Sequence, residues 1–353
     1  MNVQSYEKSR AIQKIFTFFH LFTISPFHFF SYLCTHHLKP DNMNQSLIDE
    51  KYMRRCLQLA ACGQQNAKPN PMVGAVIVDP LSNRIIGEGY HVRYGEGHAE
   101  VNAFASVRHE DEPLLRNSTV YVSLEPCSHY GKTPPCADLI IRKGVRRVVL
   151  GCEDEFAQVR GRGIRKLHEA GIEVTVGVLE DECRELNRRF FTFHRHGRPY
   201  IILKWAQTAN GYIDNRHQPM MISTPFTQML AHKLRADEDA ILVGRVTDDR
   251  DHPQLNVRHW VGSDPKRLVI DHDHPVNLES LYHHGVQSLI VEGGTRTIQS
   301  FLVQDLWDEI RVETNSRLTA PGGTRAPQLP ANCTAVSSLL WDSNLIVTYR
   351  RTS

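Results

Sequence analysis

A chain of 353 residues with 41% hydrophobic and 23% charged side chains is long enough for about two globular domains and has ample apolar material for their cores. Its 41 basic and 39 acidic residues leave a formal charge of +2, which gives no electrostatic case for a dedicated nucleic-acid binder. Eight irregularly spaced cysteines do not form the dense pattern of a secreted disulfide scaffold, so a reducing cytoplasm is the expected setting.

Near the N-terminus, "IFTFFHLFTISPFHFFSYLC", Ile15 to Cys34, is aromatic-rich and follows Lys8, Arg10 and Lys14, as a signal peptide or membrane anchor would. His20, Pro26 and His28 interrupt the apolar run, and no small-residue cleavage site follows it. The preferred reading of residues 1–45 is an N-terminal extension, either untranslated up to Met43 or disordered. A membrane anchor is the alternative.

Helical spacing of Ile48, Tyr52, Met53, Cys56, Leu57, Leu59 and Ala60 predicts a helix from Ile48 to about Cys62. A short apolar strand follows at Val73 to Val78, with "RIIGEGYHV" as a second strand beside it. "HAEVNAFASV" reads as a helix opening at His98, and "STVYVSLEPC" as a strand running into a cysteine loop. Helix "PPCADLIIRKG", strand "VRRVVLGCED", a helix over Gly163 to Ala170 and a strand over Glu173 to Val176 continue an alternating α/β pattern. One charged helix is expected from Glu180 to about Arg195. After "RHGRP" a second alternating series begins with "YIILKWA" and includes "DAILVG", "KRLVID", "QSLIVEGG" and "WDEIRVE". The domain limits are therefore set at 46–196 and 197–353.

The chemistry is concentrated in two stretches, "GEGHAEVNA" and "LEPCSHYGKTPPC". Cys127 and Cys136 alone could be a disulfide, a redox pair or metal ligands. A catalytic zinc site takes three protein ligands and keeps one position open for water, and His98, Cys127 and Cys136 supply such a set. Zinc lowers the pKa of the bound water, and Glu100, which is not a ligand, is placed to carry the proton to a leaving nitrogen. Histidine-x-glutamate followed by proline-cysteine and a further cysteine is the pattern of zinc nucleobase deaminases. The usual spacing puts two residues between the cysteines, whereas eight intervene here.

That long loop, with "KPNPMVGAVIV" and "HAEVNA", resembles the deaminase half of the bifunctional riboflavin-biosynthesis deaminase–reductase family. The resemblance runs from about Glu50 to Thr348. It implies a cytidine-deaminase-like three-layer α/β/α domain followed by a dihydrofolate-reductase-like α/β domain that uses NADPH. In the first domain it implies that Asn70 holds the pyrimidine ring and that His129 and Lys132 lie beside the ribose phosphate. Asp154 is retained from a family Asp-Pro-Asn-Pro run, but the asparagine position is Phe156. "GRGIRK" fails as a dinucleotide fingerprint, because Lys166 stands at the third glycine position.

In the second half the resemblance implies Lys204, Arg235, Leu255, Arg258 and Glu292 as substrate-side residues. On the cofactor side it implies Ala206, Thr247, Asp251, Gly293 and Gly294. Two departures stand out. The aspartate of the first motif is Asn210, and only 33 residues separate Arg258 from Glu292, so a strand–helix segment is expected to be missing. The histidine-rich "DHDHP" and "YHHG" lack the spacing of a metal site.

The resulting expectation is a homo-oligomeric cytoplasmic enzyme of riboflavin synthesis. It would deaminate a phosphorylated diaminopyrimidinone with Zn2+ and then reduce the ribosyl chain to ribityl with NADPH, with no nucleic-acid or membrane partner. A deaminase with a degenerate second domain that serves only oligomerisation is the alternative. A non-catalytic zinc scaffold and a nucleoside or tRNA deaminase are more distant ones.

Overall fold

The computed structural model describes residues 40–130, 134–155 and 161–352. The apolar stretch Ile15 to Cys34, Lys132 and Phe156 lie outside these residues.

Helix α1 spans Pro40–Ala61 and buries Tyr52, Met53, Cys56, Leu59 and Ala60 along one stripe. It starts earlier than the apolar spacing alone indicated. The strands β1 (Gly74–Asp79), β2 (Arg84–Tyr90), β3 (Thr119–Leu124), β4 (Arg147–Cys152) and β5 (Glu173–Val176) form a sheet in the order β2-β1-β3-β4-β5. Strand β1 runs antiparallel to β2 and β3, while β3, β4 and β5 are parallel. Strands β1 and β3 are buried on both faces, as a sheet covered by helices on each side requires.

One face packs Ala75, Ile77, Val120, Val122, Val148 and Leu150 against helices α2 (Ala99–Ala105), α3 (Cys136–Lys143) and α4 (Arg162–Glu169). The other face carries α1, which lies so close that a Cβ on Gly74 would stand 2.0 Å from the Cys56 carbonyl oxygen. Only glycine permits that approach. Arg147 secures the same face by a two-pronged ion pair to the buried Asp49, at 2.8 and 2.7 Å.

The single charged helix expected over 180–195 is two helices, α5 (Glu180–Leu186) and α6 (Arg188–His196). They meet at Asn187, whose backbone leaves the helical region and whose amide brackets Met72. Its Oδ1 accepts from Met72 N, and its Nδ2 donates to Met72 O, both at 2.8 Å. An asparagine side chain offers the backbone this alternative to helix continuation.

The second sheet has seven strands in the order β11-β12-β10-β6-β9-β7-β8. These are β6 (Tyr200–Thr208), β7 (Ala240–Gly244), β8 (Lys266–Ile270), β9 (Ser288–Val291), β10 (Glu309–Asn315), β11 (Cys333–Trp341) and β12 (Asn344–Arg351). The strands from β10 to β8 are parallel, and β12 and β11 add an antiparallel hairpin. Helix α7 (Pro225–Asp237) begins with the Thr224 hydroxyl accepting from Thr227 N and with proline at its first position. Helices α8 (Arg245–Asp251), α9 (Leu278–His283) and α10 (Thr295–Val303) complete the layer order. Among the described residues, β8 has β7 as its one strand neighbour and ends the sheet.

Arginines of α6 join the two sheets. Arg189 pairs with Glu238, and Arg188 reaches Glu309 at 3.2 Å, with both carboxylates buried. Arg350 on β12 returns to Glu185 on α5 at 2.7 Å.

Candidate active sites

The first site is a cavity of about 350 Å³ at the carboxyl end of β3. Its three donor atoms come from different elements: His98 immediately precedes α2, Cys127 follows β3 and Cys136 opens α3. His98 Nδ1 lies 3.5 Å from Cys127 Sγ and 3.4 Å from Cys136 Sγ. Bond lengths of about 2.0 Å to nitrogen and 2.3 Å to sulfur at a tetrahedral angle require an N···S edge of about 3.5 Å, so this donor set fits zinc. All three ligand atoms lie within 4.8 Å of one another.

Helix geometry makes the sulfurs good ligands. Cys127 Sγ accepts from Cys136 N at 3.3 Å, at the amino end of α3. The neighbouring Cys136 side chain, and then His98, lower the Cys127 thiol pKa, while the same contact with Cys127 and burial raise that of Cys136. A cation that takes both sulfurs as thiolates displaces their protons.

Glu100, on the first turn of α2, is 3% exposed and points into the cavity. Burial, followed by the Cys127 sulfur, pushes its carboxyl up to about 7. That is the range in which a carboxyl can both take and return a proton.

Asn70, His129 and Asp154 also line the cavity, with His129 at its exposed rim. His91, absent from the residues singled out in the sequence, is buried against them. Its Nδ1 faces Gly97 O at 3.1 Å and its Nε2 faces the Asn70 amide at 3.1 Å. A carbonyl can only accept, so Nδ1 carries the hydrogen and Nε2 accepts from Asn70. Burial lowers the His91 pKa and favours this neutral form. Its position in the turn leading to His98 was the available signal.

Glu125 was missed as well. Its carboxylate accepts from Gly161 N at 3.0 Å, Gly163 N at 2.9 Å and Ile164 N at 3.3 Å, at the start of α4. The helix end that "GRGIRK" offered to a dinucleotide is therefore filled by the chain's own carboxylate.

The second cluster gathers around the carboxyl end of β9, where Lys204 from the middle of β6 and Arg235 from α7 meet Glu292. Arg235 on α7 donates to Glu292 Oε2 at 2.8 Å, and Lys204 on β6 stands 3.7 Å from Glu292 Oε1. Burial alone would raise the Glu292 carboxyl, but Lys204 and Arg235 outweigh it and hold it below the usual range. Arg235 Nε and Glu292 Oε1 are buried without a hydrogen-bond partner among the described residues. Unpartnered buried atoms on two ion-paired side chains fit a cluster that takes a polar ligand. Gly293 and Gly294 bring the β9–α10 turn against α8, where Thr247 Oγ1 accepts from Gly294 N at 3.1 Å. Turns at the ends of adjacent parallel strands are a type of backbone that can offer N–H groups to a phosphate.

Ala206 lies on β6, paired with Glu313 of β10. Leu255 is buried with φ +53°, a conformation a branched side chain seldom adopts. Arg258 and Asp251 are engaged locally. Arg258 Nη1 donates to Asn256 Oδ1 at 2.8 Å, and Asp251 receives Arg250 Nε at 2.8 Å. The missed residue here is His232, buried on α7 and accepting from Arg258 N at 3.2 Å. Burial, Arg235 and Arg258 hold its pKa down to about 4. Asn210 binds backbone rather than ligand, since its Oδ1 accepts from Ala320 N at 3.1 Å while its Nδ2 donates to Ala320 O at 2.8 Å.

Comparison with known proteins bears on both clusters. Residues 46–152 match the cytidine and deoxycytidylate deaminase zinc-binding region, and residues 199–279 and 273–330 match the RibD C-terminal domain. The riboflavin biosynthesis protein RibD of Aquifex aeolicus is 37% identical over 322 residues, covering 78% of this chain and 89% of that protein. This chain belongs to the RibD family. The Bacillus amyloliquefaciens RibD is 34% identical over 333 residues, covering 80% of this chain and 88% of the relative. A crystal structure of a diaminohydroxyphosphoribosylaminopyrimidine deaminase/5-amino-6-(5-phosphoribosylamino)uracil reductase from Thermotoga maritima is 31% identical. It superposes with a TM-score of 0.79 and covers 87% of this chain and 99% of its own.

RibD membership makes this chain a bifunctional enzyme of riboflavin biosynthesis, a zinc deaminase joined to an NADPH-dependent reductase that acts on a small molecule. A degenerate second domain is not favoured. No helix among the described residues is long and apolar enough to cross a membrane.

Proposed function

We propose that this chain deaminates a diaminopyrimidinone ribosylamino phosphate and then reduces its ribosyl side chain to ribityl. The observation that carries the first step is the convergence of His98, Cys127 and Cys136 on one point beside the buried Glu100. Zinc bound by those three residues supplies activation of water near neutral pH. Glu100 accepts the water proton and delivers it to the departing amino nitrogen, which leaves as ammonia. Asn70, oriented by the neutral His91, holds the ring edge, and Asp154 lines the same wall. His129 at the rim, together with Lys132, meets the phosphate.

In the reductase step NADPH supplies the hydride. Lys204, Arg235 and Glu292 bind the sugar phosphate, with Leu255 and Arg258 beside it. Ala206, Thr247, Asp251, Gly293 and Gly294 border the cofactor. The proposed domains are 46–196 and 197–353 after an extension over 1–45. The second domain is read as shortened, since its family match comes in two stretches around residues 273–279. Homo-oligomerisation is read from the exposed Val336, Leu340 and Trp341 of the outer strand β11. A cytoplasmic location is proposed from the sparse, irregular spacing of the eight cysteines.

A coupled assay on the full chain tests the proposal. Ammonia release with one zinc per chain, followed by NADPH oxidation on the deaminated product, is the expected result. Ammonia without NADPH oxidation at saturating protein would remove the second step, and zinc without ammonia would remove the first.

A further inference from the structure

One wall of the deaminase cavity is built by the second half of the chain. Gly285 and Gln287, from the turn between α9 and β9, line it together with Pro69, Asn70 and His91. Gln287 is 6% exposed, and its Nε2 donates to Pro69 O at 2.7 Å. Beside it, Lys68 Nζ donates to Asp239 Oδ1 at 2.8 Å and to Asp237 O at 2.5 Å. The second Asp239 oxygen accepts from Gln287 N at 2.8 Å and Ser288 N at 3.1 Å. One carboxylate thus ties the starts of β7 and β9 to Lys68.

The segment being held is the one that presents Asn70. Pro69 and Pro71 have no N–H, so the segment has few bonds of its own, and Asn70 N to Ala67 O at 2.9 Å is one of them. Its anchors come from outside: Asn187 brackets Met72 from the first domain, and Gln287 and Asp239 hold Pro69 and Lys68 from the second.

We propose that Gln287 is a positioning residue for deamination, acting through the Pro69 carbonyl on Asn70. The second domain is then part of the first active site. This rests on the deaminase reading above. Gln287 precedes β9 and Glu292 follows it, so about 13 Å of strand separates the anchor from the reductase cluster. The reductase activity therefore serves as an internal control.

The test compares the zinc-loaded full chain with its Gln287→Leu and Gln287→His variants. Leucine keeps most of the volume and removes the donor, whereas a histidine Nε2–H can occupy the donor position. In Gln287→Leu the KM for deamination is expected to rise about fivefold, as loss of one buried hydrogen bond would cause, with kcat within about twofold. Zinc content and NADPH oxidation stay at parental values, amide hydrogen exchange over residues 66–73 accelerates, and Gln287→His restores both KM and protection. Unchanged KM and unchanged exchange in Gln287→Leu overturn the proposal. Parallel loss of both activities also overturns it, because it marks a merely structural role. If the parent protein releases no ammonia, the deaminase reading fails, and the exchange measurement still decides whether Gln287 holds the segment.

Discussion

Around His98 the donors are set by backbone: a helix start carries His98 and Glu100, another carries Cys136, and a strand end carries Cys127. Around Glu292 the charged groups come from β6, α7 and the end of β9, and they are held by one another through the Arg235–Glu292 and Lys204–Glu292 pairs. The first arrangement is preorganised for a cation, since its sulfur and nitrogen atoms already span a tetrahedral edge. In the second, the Arg235 guanidinium is already engaged by the Glu292 carboxylate. Ends of elements 29 and 38 residues apart thus aim the first set of donors, whereas the second cluster is held by contacts among its own side chains.

Substitutions that strike one site and spare the other can break this comparison. The largest effect is expected from Glu100→Gln, which removes the proton carrier while leaving all three donors. Ammonia release should fall by about 10³-fold or more with zinc content and NADPH oxidation intact, as measured by metal analysis beside the two assays. Loss of zinc in this variant would mean that Glu100 holds the site together instead of moving protons.

Next comes acid stability, which probes the salt-bridged seam between the sheets. Burial works against the Glu309 charge, but Arg311, Arg188 and Arg189 outweigh it and lower the carboxyl from 4.5 to about 2. A depressed folded pKa contributes stability that is complete above the unfolded value and is lost as pH falls from about 4.5 toward 2. The contribution is about 3 kcal/mol. Chemical denaturation at a series of pH values should show a steep acid limb in the parent and a shallower one in Glu309→Gln, which starts from lower stability at pH 7. An unchanged limb would assign the acid sensitivity to other carboxylates.

Arg235→Met should lower kcat/KM for NADPH oxidation by about 10- to 100-fold, the range for one charge-assisted hydrogen bond, and leave ammonia release unaffected. If deamination fell equally, the two sites would be coupled more tightly than a shared wall implies. The smallest effect is expected for Asn210→Asp. It keeps the acceptor for Ala320 N but loses the donor to Ala320 O, and should cost about 1 kcal/mol in thermal or denaturant unfolding. A stabilised variant would show that the asparagine is not tuned to this backbone pair.

The reach of the sequence differs between the two halves in the same way. The alternation of strands and helices, the stripe on α1 and the set His98, Glu100, Cys127 and Cys136 are legible because each depends on short spacing or on residue chemistry that few roles other than zinc catalysis require. The break at Asn187 was not legible, since charge and apolar spacing continue across it and only the distant Met72 backbone explains it. His91 and Glu125 escaped for a similar reason: one is an ordinary loop histidine until Asn70 and Gly97 close on it, and the other an ordinary acid until the start of α4 arrives.

Residue chemistry and local period by themselves determined the α/β class, the chain order of the elements and the metal-binding donors. Tertiary structure alone decided which neutral histidine orients Asn70, that Arg235 and Lys204 share Glu292, and that Gln287 closes the wall of a cavity in the other half. Those relations are contacts between residues far apart in the chain, and such contacts leave no periodic trace in the order of the amino acids.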